Sequence, residues 1–290
     1  MKSFLKDIAL ILFSTCLFLV LGELIVDCYP NEFITKYNQW YERRDSITLL
    51  LIGNSHIQMN VNASVFGSNA CNMAIGGMGT NLAKKMAEEY VPQMNSLKAV
   101  VVNMDYATIV KNQAIETTKV EDDKMKSYYF IQNRYMHVNR NDVHYRYAIL
   151  CDQLHYLTLT NKHLTDLDLN GLDTVFLFDK DFKIWQISQN GFAGVIESLC
   201  ALGKIAYDNN IRLIVVTSPA HPIFCKKTDP ESIEKINHAM DSISELYPIE
   251  YKSYLSDSSF WNKELFVDVH HLNRRGATLF AKKIKEDFGL

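Results

Sequence analysis

The sequence predicts an α/β protein: a three-layer α/β/α sandwich around a parallel sheet of about five strands, with one N-terminal transmembrane helix. Three observations predict it. Short apolar, β-branched runs alternate with stretches of helical periodicity. Those runs are apolar throughout rather than at every second residue, as in strands buried on both faces. The first thirty residues, finally, differ in composition from all that follows.

Residues 8–26 read IALILFSTCLFLVLGELIV. At the helical rise this stretch spans roughly 28 Å, close to the thickness of a bilayer core. Lys2 and Lys6 precede it, and Asp27 and Glu32 follow. The excess of positive charge before the span places the N-terminus in the cytoplasm and everything after Cys28 outside. Glu23 sits near the outer end, within reach of the interface. A removed signal peptide is the alternative, but no small-x-small cleavage site follows the stretch. The expected organisation is an anchor at 1–28, a polar, aromatic stalk at 29–45, and one α/β domain at 46–290.

Within that domain the first strand falls in residues 46–52 (SITLLLI), followed by a helix at 80–90 with Leu82, Met86 and Tyr90 on one face. Residues 97–102 (LKAVVV) and 211–217 (IRLIVVT) are further buried strands. Helical spacing recurs at 191–209, 231–246 and 273–288. Residues 107–190 break the rhythm, being rich in Tyr, His, Asp and Asn without a clear βα unit. They read as a mainly helical insertion over the mouth of the sheet. Its aromatic residues, among them Tyr128, Tyr135 and Trp185, suit core packing or stacking against sugars.

The chain has 290 residues, is 48% hydrophobic and 22% charged, and carries a net charge of −3. That composition is globular, and it lacks the basic stripe of a nucleic-acid-binding surface. The pair Arg274-Arg275 reads as a solvated helix face. The six cysteines show no C-x-x-C spacing, which argues against a zinc site. An exported domain can pair some of them, and buried free thiols are the other reading. No metal or organic cofactor is implied.

Ligands of parallel sheets bind beyond the carboxyl ends of the strands. The first strand ends at Gly53-Asn54-Ser55-His56. A serine in a tight strand-to-helix turn exposes its Oγ among backbone N–H groups, a setting for nucleophilic attack with an amide-held oxyanion. The same serine can equally cap the next helix. Near the far end the chain reads Asp268-Val269-His270-His271-Leu272-Asn273, just before a helix that Asn273 can cap. Asp268 can orient His271, and His271 can take a proton from Ser55 and return it to a leaving group. His270 competes for the base role; the spacing from Asp268 favours His271. At other strand ends lie Asn103-Met104-Asp105 and Ser218-Pro219-Ala220-His221. His56, Ser218 and His221 are candidate substrate contacts.

These blocks resemble those of the SGNH (GDSL-like) hydrolase superfamily. Gly53-Asn54-Ser55 is similar to its Gly-Asp-Ser block, and Asp268-x-x-His271 to its Asp-x-x-His block. Asn72-Met73-Ala74-Ile75-Gly76-Gly77 resembles the block that supplies an oxyanion-hole glycine N–H, in a register favouring Gly77 over Gly76. The third block departs from the family: where Gly-x-Asn-Asp is expected, this chain has Asn103-Met104-Asp105-Tyr106. Either Asn103 donates from a shifted position or that donor is absent. The resemblance implies a flavodoxin-like fold and a serine esterase or O-acyltransferase, with Ser55, Asp268 and His271 catalytic and the oxyanion held by Ser55, Gly77 and Asn103. It is nearest to the membrane-anchored branch that includes D-alanine-transfer and alginate O-acetylation proteins. It therefore implies an acylated surface glycan or small ester as substrate and a membrane acyltransferase as partner. A non-catalytic module that binds glycan or such a partner is the alternative.

Overall fold

The computed structural model describes residues 2–28, 32–76, 78–105 and 189–290. The chain divides into two compact units, one comprising residues 1–37 and 118–167, the other residues 38–117 and 168–290. In the first unit, helix α1 runs from Lys2 to Cys28. Its segment Phe4–Gly22 is long and apolar enough to cross a membrane. Leu10, Phe13 and Phe18 are all exposed on it. The Thr15 hydroxyl donates to the Ile11 carbonyl at 2.9 Å, so this polar group is satisfied within the helix.

The stretch read as a stalk is helical: α2 spans Glu32–Arg43. In the second unit its end is built into the sandwich. Trp40 is buried and its ring lies 4.3 Å from that of Tyr90. Burial of so large an aromatic surface draws the end of this polar, aromatic stretch onto the sandwich.

Among the described residues the sandwich is built on five strands: β1 (Leu49–Leu51), β2 (Ala70–Asn72), β3 (Ala99–Asn103), β4 (Arg212–Thr217) and β5 (Ile249–Ser253). All pair in parallel in the order β2-β1-β3-β4-β5. Register places Leu50 beside Cys71 and Val100, and Val101 beside Ile214. This is the flavodoxin-like order, whose switch point falls between β1 and β3.

After α2, the helices among the described residues of this unit are α3 (Ser55–Asn60), α4 (Thr80–Tyr90), α5 (Gln189–Asp208), α6 (Pro222–Lys227), α7 (Pro230–Leu246) and α8 (Arg274–Phe288). One face of the sheet, with Leu49, Leu51, Val101, Ile214 and Val216, packs on Ile57 of α3 and on Ala277, Phe280 and Ile284 of α8. Helices α4, α5 and α7 cover the other. Each fully buried Val or Leu contributes about 1.5–3 kcal/mol, so the central strands dominate the core. Arg274 and Arg275 are exposed on α8, as a solvated face requires. Cys71, Cys200 and Cys225 are free thiols. The expected insertion lies outside the described residues, except for its last two, which begin α5.

Candidate active site

The β1–α3 turn sets the first side of the site. Ile52 still pairs with β3, its N–H donating to Val101 O at 3.0 Å. The chain then turns sharply at Gly53, whose φ of +146° disfavours any side chain. A Cβ there would lie 2.0 Å from Asn103 Oδ1. The empty space admits the Asn103 amide, whose Oδ1 accepts the Asn54 N–H at 3.0 Å. Asn54, not Ser55, caps α3: its side chain accepts the His56 N–H at 2.8 Å. Ser55 occupies the first helical position, where the N–H has no intrahelical acceptor. Its hydroxyl is free for other work.

The second side comes from the loop before α8. An antiparallel bridge between Phe266 and Leu272 pinches the loop shut. Asn273 caps α8 by accepting the N–H groups of Arg275 and Gly276, each at 3.1 Å. Gly276 allows α8 to lie against the preceding chain, since a Cβ there would meet Leu265 O at 2.3 Å. Inside the loop, Asp268 Oδ1 accepts the N–H groups of His270 (2.8 Å) and His271 (2.7 Å). The turn is therefore organised by its own carboxylate.

Those two sides meet. His271 Nε2 lies 2.8 Å from Ser55 Oγ, and His271 Nδ1 lies 2.7 Å from Asp268 Oδ2. Burial alone would raise the Asp268 carboxyl, but the His271 hydrogen bond and charge, with His270 beside them, hold it far below its usual value. It is thus a permanent carboxylate that fixes the His271 ring. Hydroxyl, imidazole and carboxylate in series can move the serine proton to His271 while Asp268 steadies the resulting charge.

Asn60 joins the two sides, and sequence reading missed it. It is fully buried at the end of α3. Its Oδ1 accepts the Leu272 N–H at 2.7 Å, and its Nδ2 donates to the His270 carbonyl at 3.1 Å. One amide therefore ties the histidine loop to the helix that begins with Ser55.

A second imidazole–carboxylate pair lies alongside. His56 Nδ1 is 2.6 Å from Asp105 Oδ2, a close ion-pair contact set off the ring N–H axis. Asp105 is buried, which opposes its charge, but His56, the Ser218 N–H and Asn103 outweigh that and lower its pKa. Asn103 Nδ2 donates to Asp105. The Asn103 amide thus bridges the Asn54 N–H and Asp105, a supporting position. His56 Nε2 faces His270 Nδ1 at 2.9 Å. Burial, with His56 and His271 near, pushes the His270 pKa down to about 3, so His270 is neutral near pH 7. It faces His56, and His271 is the ring on Ser55.

Of the remaining sequence candidates, Ser218 gives its N–H to Asp105 at 3.1 Å, and among the described residues its buried Oγ has no partner. His221 caps α6, accepting the Ile223 N–H at 3.1 Å through Nδ1. Its own N–H holds Val269 O of the histidine loop at 2.9 Å. Burial, then nearby Lys263, lowers its pKa. His221 is thus placed as a loop support. Gly77 lies outside the described residues. Gly76 immediately precedes it, after Ile75 has bonded to Gly53 O at 2.9 Å.

No family model matches the sequence. No curated protein matches it either. Solved structures with similarity include one from Streptococcus pneumoniae, provisionally described as a platelet activating factor. It is 14% identical, with a TM-score of 0.47, over 94% of this chain and 98% of that one.

Proposed function

We propose that this chain is a membrane-anchored serine esterase or O-acyltransferase of the SGNH type, acting on ester-linked acyl groups. The observation that carries the reading is the unbroken series Ser55–His271–Asp268, with contacts of 2.8 and 2.7 Å. Ser55 Oγ attacks the ester carbonyl while His271 Nε2 takes its proton. The tetrahedral oxyanion is held by the Ser55 N–H and, from the family resemblance, the Gly77 N–H. His271 then protonates the departing alcohol, leaving an acyl-Ser55. In the second half His271 activates the acceptor, and the acyl group passes to water or to a second hydroxyl. Hydrolysis and transfer share this intermediate. α1 anchors the protein with its N-terminus in the cytoplasm and the sandwich outside. Surface glycans bearing acyl esters are the proposed substrates, and a membrane acyltransferase the proposed partner.

A second reading keeps the frame without the chemistry: a module that binds glycan or a membrane partner. Its motivation is Asp105, which stands where the family has an asparagine donor. Loss of one such donor costs roughly 2.7–4 kcal/mol in the barrier. A fluorophosphonate probe, applied to the full-length protein in detergent, decides between them. The esterase reading expects labelling that disappears in Ser55→Ala and falls steeply in His271→Ala. Labelling that persists in Ser55→Ala, or EDTA-treated wild-type protein that never labels, removes the serine from the mechanism.

A further inference from the structure

Three histidines of this site, of which the serine chemistry requires only His271, form a donor set. His56, His270 and His271 each offer one ring nitrogen, and the three nitrogens lie within 4.8 Å of one another. Two of them, His56 Nε2 and His270 Nδ1, already stand 2.9 Å apart. Nitrogens around a tetrahedral zinc ion, at the usual bond length of about 2.0–2.1 Å, stand roughly 3.3 Å apart. Closing the set on one ion brings its wider-spaced nitrogens nearer by up to about 1.5 Å.

The opposite ring nitrogens strengthen the case. Imidazoles that bind transition metals present the second nitrogen to a carboxylate or carbonyl, which fixes the ring and raises its basicity. His271 Nδ1 is hydrogen-bonded to Asp268 at 2.7 Å, and Asp105 lies 2.6 Å from His56 Nδ1, off its N–H axis. Both carboxylates face the far nitrogen and leave Nε2 turned toward the cluster. His270 is fixed from its backbone, its N–H on Asp268 and its carbonyl on Asn60. The three ligands come from two chain segments that Asn60 locks together. His56 and Asp105 are also unusual for a bare Ser-His-Asp site, where one imidazole and one carboxylate suffice.

We propose that these three histidines bind one late first-row divalent cation, of the Zn²⁺ class, and that the bound ion silences Ser55. Three imidazoles select such ions over Mg²⁺ or Ca²⁺, which prefer oxygen ligands. The cation displaces the proton between His56 Nε2 and His270 Nδ1, which passes to solvent. It also occupies the lone pair of His271 Nε2, the one that accepts the Ser55 proton. Ser55 Oγ, 2.8 Å from that nitrogen, thereby loses its acceptor. No bond to substrate is made or broken by the ion; it blocks the base. The silencing rests on the esterase reading above, whereas the binding does not.

The test uses full-length protein in detergent, stripped with EDTA and then given ZnCl₂. Equilibrium dialysis with metal analysis is expected to find one zinc per chain. His270→Ala and His56→Gln should each weaken binding at least tenfold, while Ser55→Ala retains it. His238→Ala, on an exposed helix face, serves as the control for adventitious surface binding. Fluorophosphonate labelling should slow at least tenfold with zinc, recover with EDTA, and be indifferent to MgCl₂. Binding that survives both cluster variants, or that vanishes in His238→Ala, overturns the site. Labelling at the same rate with zinc bound overturns the silencing. If stripped protein never labels yet binds zinc through His56 and His270, the esterase reading fails and the metal site stands.

Discussion

Replacing Asn60 with alanine probes how the site is held together. The side chain is fully buried and makes two bonds, 2.7 Å from the Leu272 N–H and 3.1 Å to the His270 carbonyl. Leu272 is itself fully buried, so its N–H loses its only side-chain acceptor and cannot reach water. A buried unsatisfied donor costs about 1–3 kcal/mol, and the lost bond to the more accessible His270 carbonyl about 0.5–1.5 kcal/mol. The expected destabilisation is roughly 2–4 kcal/mol. For a domain of this size that lowers Tm by roughly 4–16 °C. The catalytic effect should be separate. With the histidine loop untied from α3, His271 loses its fixed approach to Ser55, and a misplacement of the order of 1 Å costs about a hundredfold in rate. Hydrolysis of p-nitrophenyl acetate, measured well below the variant's Tm, should show a fall in kcat of roughly ten- to a hundredfold with little change in KM. Asn62→Ala is the matched control. Asn62 bonds Thr278 of α8 at 3.0 Å and caps a nearby turn without touching the loop. It should cost about 1 kcal/mol and leave kcat alone. A Tm fall in Asn60→Ala with unchanged kcat would refute the positioning role, and an unchanged Tm would refute the clamp itself.

Three further outcomes follow from the same geometry. Asp268→Asn keeps the size of the side chain but turns an N–H toward His271 Nδ1, forcing the wrong tautomer; kcat should fall roughly a thousand- to ten-thousandfold with the fold intact by circular dichroism. Gly53→Ala places a methyl group 2.0 Å from Asn103 Oδ1 at a φ of +146°, and should destabilise by about 2–5 kcal/mol in thermal unfolding. Asp287 opposes its own partial burial through Lys252 at 2.8 Å and the Tyr254 hydroxyl at 2.7 Å, which together lower its pKa. A depressed folded-state pKa gives stability that is complete above the unfolded value of about 3.9 and is lost as pH falls below it. Asp287→Asn should therefore lower Tm at pH 7 by an amount equivalent to about 1 kcal/mol and narrow the gap to wild type as pH falls below about 4.

How far the sequence revealed this structure depends on the range of the interactions. Helix α4 was legible to the residue, because Leu82, Met86 and Tyr90 form a local stripe that packing then uses. The β1, β3 and β4 strands were legible as apolar runs, though longer than the paired segments. Residues such as Ile47 are buried ahead of β1, and apolar composition cannot tell burial from pairing. β5 went unread: Ile249-Glu250-Tyr251-Lys252-Ser253 is an edge strand, half-exposed and charged, and lacks the continuous apolar run used to find β1, β3 and β4; β2, the three residues Ala70-Cys71-Asn72, is too short to show one. The stalk was misread because Trp40 finds its partner, Tyr90, only in three dimensions. In the site, Ser55, Asp268 and His271 stood out because their spacing is short within each segment. Asn60 did not, since an asparagine at a helix end looks like surface until another segment supplies its partners. Asp105 was visible as a departure from a pattern; its pairing with His56 was not.

The contact between Ser55 and His271 joins positions 216 residues apart. Ribosomes add roughly 5–20 residues per second, so the serine emerges roughly 10–40 s before its base has been made. During that interval nothing lowers the barrier to removing its proton, and the hydroxyl is an ordinary alcohol. On the proposed chemistry the nucleophile is armed only once the loop before α8 has been made and has docked, so the order of synthesis itself acts as a safety catch.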